Sequence, residues 1–199
     1  MVKEFDEETQ SSVWIFLDAQ DGKYVQAEGT SPAAFDRNLA PLNRRKKYSL
    51  PDDSFEYAIC LAASSANYYL SKNRTVGLAF NADVAQIIPA DNGRRQLTKI
   101  LESLASIQAK GKLTLSQLLE KQIRNIPKGS SLVLVTTTLD KRLMILMETL
   151  KRRGYSLMVL RINNSSFFPE LADESVEFIA SLPQAYSIDR GSDLERIFS

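Results

Sequence analysis

Short apolar runs alternate along this chain with longer stretches of helical period. The first run, Val13–Leu17, is continuous, rich in β-forming residues, and ends at Asp18. A run of this length without alternation is typical of a strand buried on both faces of a sheet. Similar runs predict further strands over residues 75–80, 84–88, 131–136, 155–162 and 185–188.

Apolar residues spaced three and four apart predict helices between these strands. The main helices are expected over about 53–71, 91–105, 114–126 and 141–153, and shorter ones over about 32–39, 174–181 and 192–198. Asp53 and Asp91 are candidate N-caps for the first two, and Gly154 is expected to end the fourth. The second helix is expected to direct Leu97 and Leu101 inward.

The order of these elements predicts an α/β fold. Strands that alternate with helices form a mostly parallel central sheet with helices on both faces. The link at residues 81–83 is too short for a crossover, so one strand is expected to be an antiparallel edge strand. We expect a lead-in segment over residues 1–12 and a single domain over 13–199, with a long irregular loop at about 22–52.

Composition narrows the functions that the chain can perform. Histidine is absent among the 199 residues, which excludes Ser-His-Asp and Cys-His catalysis and zinc sites built from cysteine and histidine. The only cysteine, Cys60, is expected to be a buried apolar residue. A net charge of +1 gives no overall attraction to nucleic acid, and the basic runs at 44–47 and 151–153 are expected to be solvated. We expect neither a membrane-spanning segment nor a signal peptide.

Polar residues follow the two strands that we expect to be central. Asp18, Gln20, Asp21 and Gly22 come after the first strand, and residues 136–138 come after a later one. Ligands of parallel sheets bind beyond the carboxyl ends of such strands. The acidic turn is either a site for a hard cation such as Mg²⁺ or a structural turn. Two further polar residues have the same two alternatives, because Thr114 and Asp140 are either ligands or helix caps.

Several segments together resemble the DUF58 family and its von Willebrand factor A-like domain. They are residues 2–8, the strand ending in Asp18, the long apolar helix, residues 75–80, Pro89 and residues 111–119. The resemblance implies a three-layer α/β/α, Rossmann-like domain. It also implies the position of a metal-ion-dependent adhesion site.

Only part of that adhesion site is kept. Asp18 and Thr114 match its ligands, whereas Gln20 and Gly22 stand at serine positions and Thr137 replaces an aspartate. Mg²⁺ requires a nearly octahedral shell of oxygen ligands. We therefore expect no cofactor and an empty or very weak Mg²⁺ site, held if at all by Asp18 and Thr114.

The function expected from the resemblance is a non-enzymatic protein-interaction domain. Its binding surface is the rim formed by residues 18–22, 111–114 and 136–140. The implied partner is a MoxR-type AAA+ ATPase. The chain is expected to be part of a larger protein, on the cytoplasmic side of a membrane, with the membrane anchor in a region outside this chain. No nucleic acid and no direct membrane contact are expected. The alternative is a metal-dependent hydrolase of unknown substrate that uses Asp18 and Asp21.

Overall fold

Strands and helices alternate in the computed structural model, which describes residues 11–26, 53–82, 85–168, 170, 184–193 and 197. The strands are β1 (Val13–Leu17), β2 (Val76–Asn81), β3 (Ala85–Asp91), β4 (Ser131–Thr136), β5 (Ser156–Ile162) and β6 (Ala185–Ile188). The α-helices are α1 (Ser54–Ser71), α2 (Gly93–Ala105), α3 (Leu115–Gln122) and α4 (Lys141–Arg152). Short 3₁₀ turns follow α3 at Ile123–Asn125 and β5 at Asn164–Ser166.

The six strands form one sheet in the order β3-β2-β1-β4-β5-β6. Every neighbouring pair is parallel except β2 and β3, which form an antiparallel hairpin at the edge. The predicted α/β class, the parallel sheet and the antiparallel edge strand are therefore confirmed. β1 and β4 are adjacent and central, so their carboxyl ends lie side by side.

Helices cover both faces of the sheet because the residues that point to either face of the central strands are apolar. Val13, Ile15 and Leu17 pack into the core on the side of α1 and α2. Trp14 and Phe16 pack into the core on the side of α3 and α4. β1 is buried along its whole length, as its unbroken apolar sequence predicts.

The ring of Trp14 lies against Gly77, its partner across the β1–β2 ladder. A Cβ atom at position 77 would lie 2.7 Å from Cε3 of that ring. The indole therefore occupies the space of a missing side chain. Any larger residue at position 77 would have to displace the Trp14 ring from its place in the core on this face.

The edge hairpin differs from the sequence prediction in its boundaries. β3 continues through Pro89 to Asp91, and α2 has Asn92 rather than Asp91 as its N-cap. The ladder shifts register beside Pro89, which has no N–H to donate. The Gln96 amide from α2 donates instead, to the carbonyls of Val76 at 2.7 Å and Pro89 at 2.8 Å. A side chain thus joins the two strands where the backbone pairing is interrupted.

Other details are confirmed or corrected by particular side chains. Asp53 caps α1, because its carboxylate accepts from the Phe55 N–H at 2.7 Å. Leu101 was expected to face the core, but its side chain is 43% exposed. The predicted helices at 32–39, 174–181 and 192–198, the lead-in and most of the 22–52 loop lie wholly or largely outside the described residues. Within the described part, no helix is long and apolar enough to span a bilayer.

Replacing Gln96 with leucine tests the link across the edge hairpin. The Gln96→Leu change removes the donor of the buried Val76 carbonyl and of the Pro89 carbonyl, so the free energy of unfolding should fall by about 2 kcal/mol. Urea denaturation followed by far-UV circular dichroism measures this loss. The exposed Gln108→Leu variant is the control and should stay within about 0.5 kcal/mol of the wild type. Equal stability of the two variants would contradict a role for Gln96 in the sheet.

Candidate functional site

A row of polar residues crosses the carboxyl edge of the sheet. Leu17 of β1 pairs with Phe80 of β2 and with Val135 of β4. The next residues of the three strands are Asp18, Asn81 and Thr136. All three are buried, and alternation places them on the face of α3 and α4. Three consecutive strands therefore end in a buried hydrogen-bonding group.

The Asp18 carboxylate accepts hydrogen bonds on both oxygens. Oδ1 accepts from the Gln20 N–H at 3.1 Å and from Asn81 Nδ2 at 3.3 Å. Oδ2 accepts from Thr136 Oγ1 at 3.0 Å. Donors from two neighbouring strands and from the turn thus satisfy a carboxylate in a residue that is only 3% exposed.

Burial dominates the electrostatics of this carboxylate. It raises the pKa of Asp18 above its ordinary value, although the donated hydrogen bonds and the charge of Lys23 act in the opposite direction. Protein donors therefore offset only part of the cost of removing the anion from water. The neutral, protonated form of Asp18 is therefore more favoured in the folded protein than it would be in water.

Asn81 links the row to the loop before α3. Its Oδ1 accepts from the Ala19 N–H at 2.6 Å, and its Nδ2 donates to the Leu113 carbonyl as well as to Asp18. The amide therefore contacts β1, the turn after β1 and the α3 loop at once. Sequence reasoning missed Asn81, because the only signal for it was a polar residue at the end of an apolar strand.

Backbone pairing fixes the α3 loop against the acidic turn. Gly111 N–H donates to the Ala19 carbonyl at 2.8 Å, and Asp21 N–H donates to the Gly111 carbonyl at 2.9 Å. A Cβ atom at position 111 would lie 1.9 Å from the backbone oxygen of Asn81. Only glycine fits at this distance, so the loop lies directly on the end of β2.

Residues 23–25 form a strap over the end of β1. The Tyr24 hydroxyl donates to the Asp18 carbonyl, and burial raises its pKa well above the ordinary value, with a further contribution from the charge of Asp18. The Lys23 carbonyl accepts from Thr137 Oγ1 at 3.2 Å and from Asn164 Nδ2 at 2.8 Å. These bonds attach the strap to the residues that follow β4 and β5.

The remaining residues predicted for the site cap helices or are exposed on the turn. Thr114 caps α3 in a capping box with Gln117, and Asp140 caps α4 by accepting from the Leu143 N–H at 2.7 Å. Asp21 and Gly22 are exposed on the turn. The hydroxyl that reaches Asp18 belongs to Thr136, one residue before the predicted Thr137.

These residues do not fit a Mg²⁺ ion. Both oxygens of Asp18 already accept from protein donors, and Thr114 Oγ1 accepts from the Gln117 N–H at 3.2 Å while pairing with Ser116 Oγ at 2.9 Å. Among the described residues, no group of three or more carboxylate or cysteine side chains lies together. The oxygen shell that Mg²⁺ requires would have to displace existing hydrogen bonds.

Solved structures resemble this fold at low sequence identity. The conserved hypothetical protein BatB from Bacteroides thetaiotaomicron is 15% identical, with a TM-score of 0.51 over 76% of this chain and 66% of its own. Proximal thread matrix protein 1 from the mussel byssus is 9% identical, with a TM-score of 0.54 over 95% of this chain and 46% of its own. A von Willebrand factor type A structure from Catenulispora acidiphila is 10% identical, with a TM-score of 0.51 over 95% of this chain and 40% of its own.

The likenesses concern the fold alone. The sequence matches no family model and no curated protein at a significant level. The chain spans 66% or less of each of the three similar structures. Together with the sheet order, these similarities identify the architecture as von Willebrand factor A-like.

The buried carboxylate makes a pH-dependent prediction about stability. Because the pKa of Asp18 is raised in the folded protein, the native state binds a proton that the unfolded state has released. Stability should therefore fall as the pH rises from below the ordinary value through the raised pKa, and then level off. In the Asp18→Asn variant this contribution should vanish, since the amide does not titrate.

At neutral pH, Asp18→Asn should be as stable as the wild type or more stable. Its new amide can donate to Thr136 Oγ1, which can in turn donate to the Thr138 carbonyl at 3.2 Å. Asp18→Ala should lose about 2 kcal/mol because three donors lose their acceptor. Urea unfolding from acid to neutral pH measures all three proteins. If the stability of the wild type increases relative to that of Asp18→Asn as the pH rises, the pKa of Asp18 is lowered in the folded protein, which would overturn this account.

The close approach at Gly111 predicts a large effect of one methyl group. Gly111→Ala should lower the free energy of unfolding by about 3 kcal/mol, because the neighbouring atom belongs to the backbone and cannot rotate away. Gly129→Ala is the matched control. It has a φ of +83° but open space around it, so it should lose only about 1 kcal/mol. Similar losses in both variants, measured by urea unfolding, would argue against a tight loop contact.

Proposed function

We propose that this chain is a non-enzymatic protein-interaction domain that binds its partner through the rim at the carboxyl edge of the sheet. The rim consists of residues 18–22, 111–114 and 136–140. Its outer groups, which include Asp21, Lys112, Thr138 and Asp140, are exposed. The von Willebrand factor A-like fold supports an interaction role, and the carboxyl edge is where ligands of such sheets bind.

The observation that carries this proposal is the set of three hydrogen bonds that the buried Asp18 carboxylate accepts from protein donors. A carboxylate that already accepts three hydrogen bonds inside the protein is poorly placed to hold a metal or to act as a base. The groups left for a ligand are exposed side chains and backbone atoms, which suit a protein surface. We therefore propose that the partner binds without a metal ion.

The hydrolase alternative gains no support from the candidate reactive groups. Asp21, its second proposed acid, is exposed on the turn while Asp18 is buried beneath it. Burial also raises the pKa of the Cys60 thiol, which disfavours a thiolate nucleophile. These properties favour binding over catalysis.

The proposed context comes from the resemblance to the DUF58 family. In this proposal the chain is the soluble part of a larger protein and works with a MoxR-type AAA+ ATPase. It lies on the cytoplasmic side of a membrane to which another region attaches it.

Rim variants test the interaction with the MoxR-type ATPase of the same genome. Asp21→Arg combined with Thr138→Arg should weaken binding roughly tenfold or more in biolayer interferometry, because both exposed positions gain a large cation. Glu102→Arg with Thr98→Arg on α2 makes the same change of charge away from the rim and should have no effect. Equal loss in both double variants would count against the rim.

Metal dependence is tested separately. Binding of the ATPase should be unchanged when EDTA replaces Mg²⁺ or Mn²⁺ in the domain's buffer, provided that the assay uses a nucleotide-free ATPase. Calorimetry of the domain alone should detect no tight site for either ion. Micromolar binding that disappears in Asp18→Asn would contradict the proposal of a metal-independent rim.

A further inference from the structure

Positive charge is concentrated on the exposed side of α3, α4 and the segment between α3 and β4, which we call the basic face. Residues 120–153 contain eight lysines or arginines and three aspartates or glutamates, a net charge of +5. The whole chain carries only +1, so the remaining residues carry −4. The near-neutral balance of the chain therefore hides a strong local asymmetry.

Few of these cations have an acidic partner within the described residues. Arg142 Nη2 pairs with Glu120 at 2.6 Å and Arg152 Nη2 with Glu148 at 3.4 Å. No salt bridge in the described part of the chain joins the other six cations, which are Lys121, Arg124, Lys128, Lys141, Lys151 and Arg153. Their charges are available to a ligand in solution.

Helix stability explains only part of this arrangement. Lys151 and Arg152 lie in the last turn of α4, where cations stabilise the negative end of the helix dipole. Lys141 and Arg142 lie in the first turn of the same helix, which contains no acidic residue. Cations at that end oppose the dipole. Asp140 caps this end and Glu120 pairs with Arg142, so Lys141 is the cation of this turn that no salt bridge in the described residues explains.

An exposed isoleucine lies in the middle of this charged surface. Ile145 is 69% exposed, more than any other large hydrophobic residue in the described segments. It follows Arg142 by three residues and precedes Arg152 by seven, so all three share one stripe of α4. A single exposed apolar residue is ordinary by itself. Here it lies on one exposed stripe with two arginines, and an apolar contact flanked by charged groups is a common layout of protein-binding surfaces.

We propose that the basic face binds an acidic segment of a partner protein, with one apolar side chain of that segment packed on Ile145. A shallow depression of about 400 Å³, lined by Glu120, Lys121 and Arg124, lies on α3 and can receive an acidic side chain. This surface is separate from the rim. The inference therefore goes beyond the proposed function and does not depend on it.

Two other polyanions fit this surface less well. A nucleic acid would leave Ile145 without an apolar contact, because phosphates supply most of its binding groups. An anionic membrane would take up several apolar side chains, and this face offers one exposed large hydrophobic residue among those described. An acidic peptide with an apolar residue uses both the charge and the isoleucine.

The test uses two fluorescent peptides and the intact chain. One peptide contains five Glu-Glu-Leu repeats, and in the matched peptide serine replaces every leucine. In fluorescence anisotropy the leucine peptide should bind more tightly than the serine peptide, and both should weaken when salt is raised from about 0.05 M to about 0.2 M. Absence of binding by the leucine peptide would overturn the proposal.

Variants separate the apolar contact from the charge. Ile145→Ser should weaken the leucine peptide by about tenfold and leave the serine peptide unchanged. Lys121→Glu with Arg124→Glu should weaken both peptides by about tenfold or more. The control, Leu101→Ser with Lys99→Glu on α2, should weaken neither. Circular dichroism establishes that every variant is folded before its binding is compared.

Other outcomes would also overturn the proposal. Ile145→Ser without effect would reduce the face to unspecific electrostatic binding. Tighter binding of duplex DNA or of phosphatidylserine vesicles than of the leucine peptide, with loss in Lys121→Glu/Arg124→Glu, would assign the face to those ligands instead. The rim variant Asp21→Arg/Thr138→Arg should bind the leucine peptide normally, so failure of the rim proposal and failure of this one remain distinguishable.

Discussion

The carboxylate of Asp18 is buried at the end of a strand that has no exposed face, and it must therefore find its hydrogen-bond donors inside the protein. The donors come from the turn after β1, from β2 and from β4. The two contacts from β2 and β4 require the parallel register that the apolar runs establish. The α3 loop and the strap then attach to the same place, through Asn81 and through the carbonyl of Asp18. One buried polar group thus determines how the carboxyl edge is closed.

Much of the fold follows from the sequence, because its strongest determinants are local. The unbroken run Val13–Leu17 can be buried only on both faces, and the short link after β2 allows only a hairpin. The end of the edge strand β3 was less predictable, because Pro89 has no N–H and interrupts the backbone pairing. Here a glutamine from α2 supplies the missing donor, and that contact depends on tertiary packing.

The site was harder to predict than the fold for a related reason. Asp18 was identified because it ends a recognisable strand. Thr136 and Thr137 are adjacent in sequence, but the alternation of side chains directs Thr136 toward the carboxylate and Thr137 toward the strap. Asn81 acts on a neighbour 63 residues away in sequence, and nothing near it in the chain indicates this. Side chains that act across strands are visible only when the register is known.

The position of Trp14 has a practical consequence. It is the only tryptophan in the chain, it is 7% exposed, and its ring rests on Gly77 of β2, the strand next to β1. Its fluorescence therefore reports on a single place, the middle of the sheet on the side of α3 and α4. Asp18 lies four residues further along the chain, directly after β1, and on the same face. The intrinsic emission of this protein is consequently an optical probe of the packing between the sheet and the layer of α3 and α4, and it requires no label.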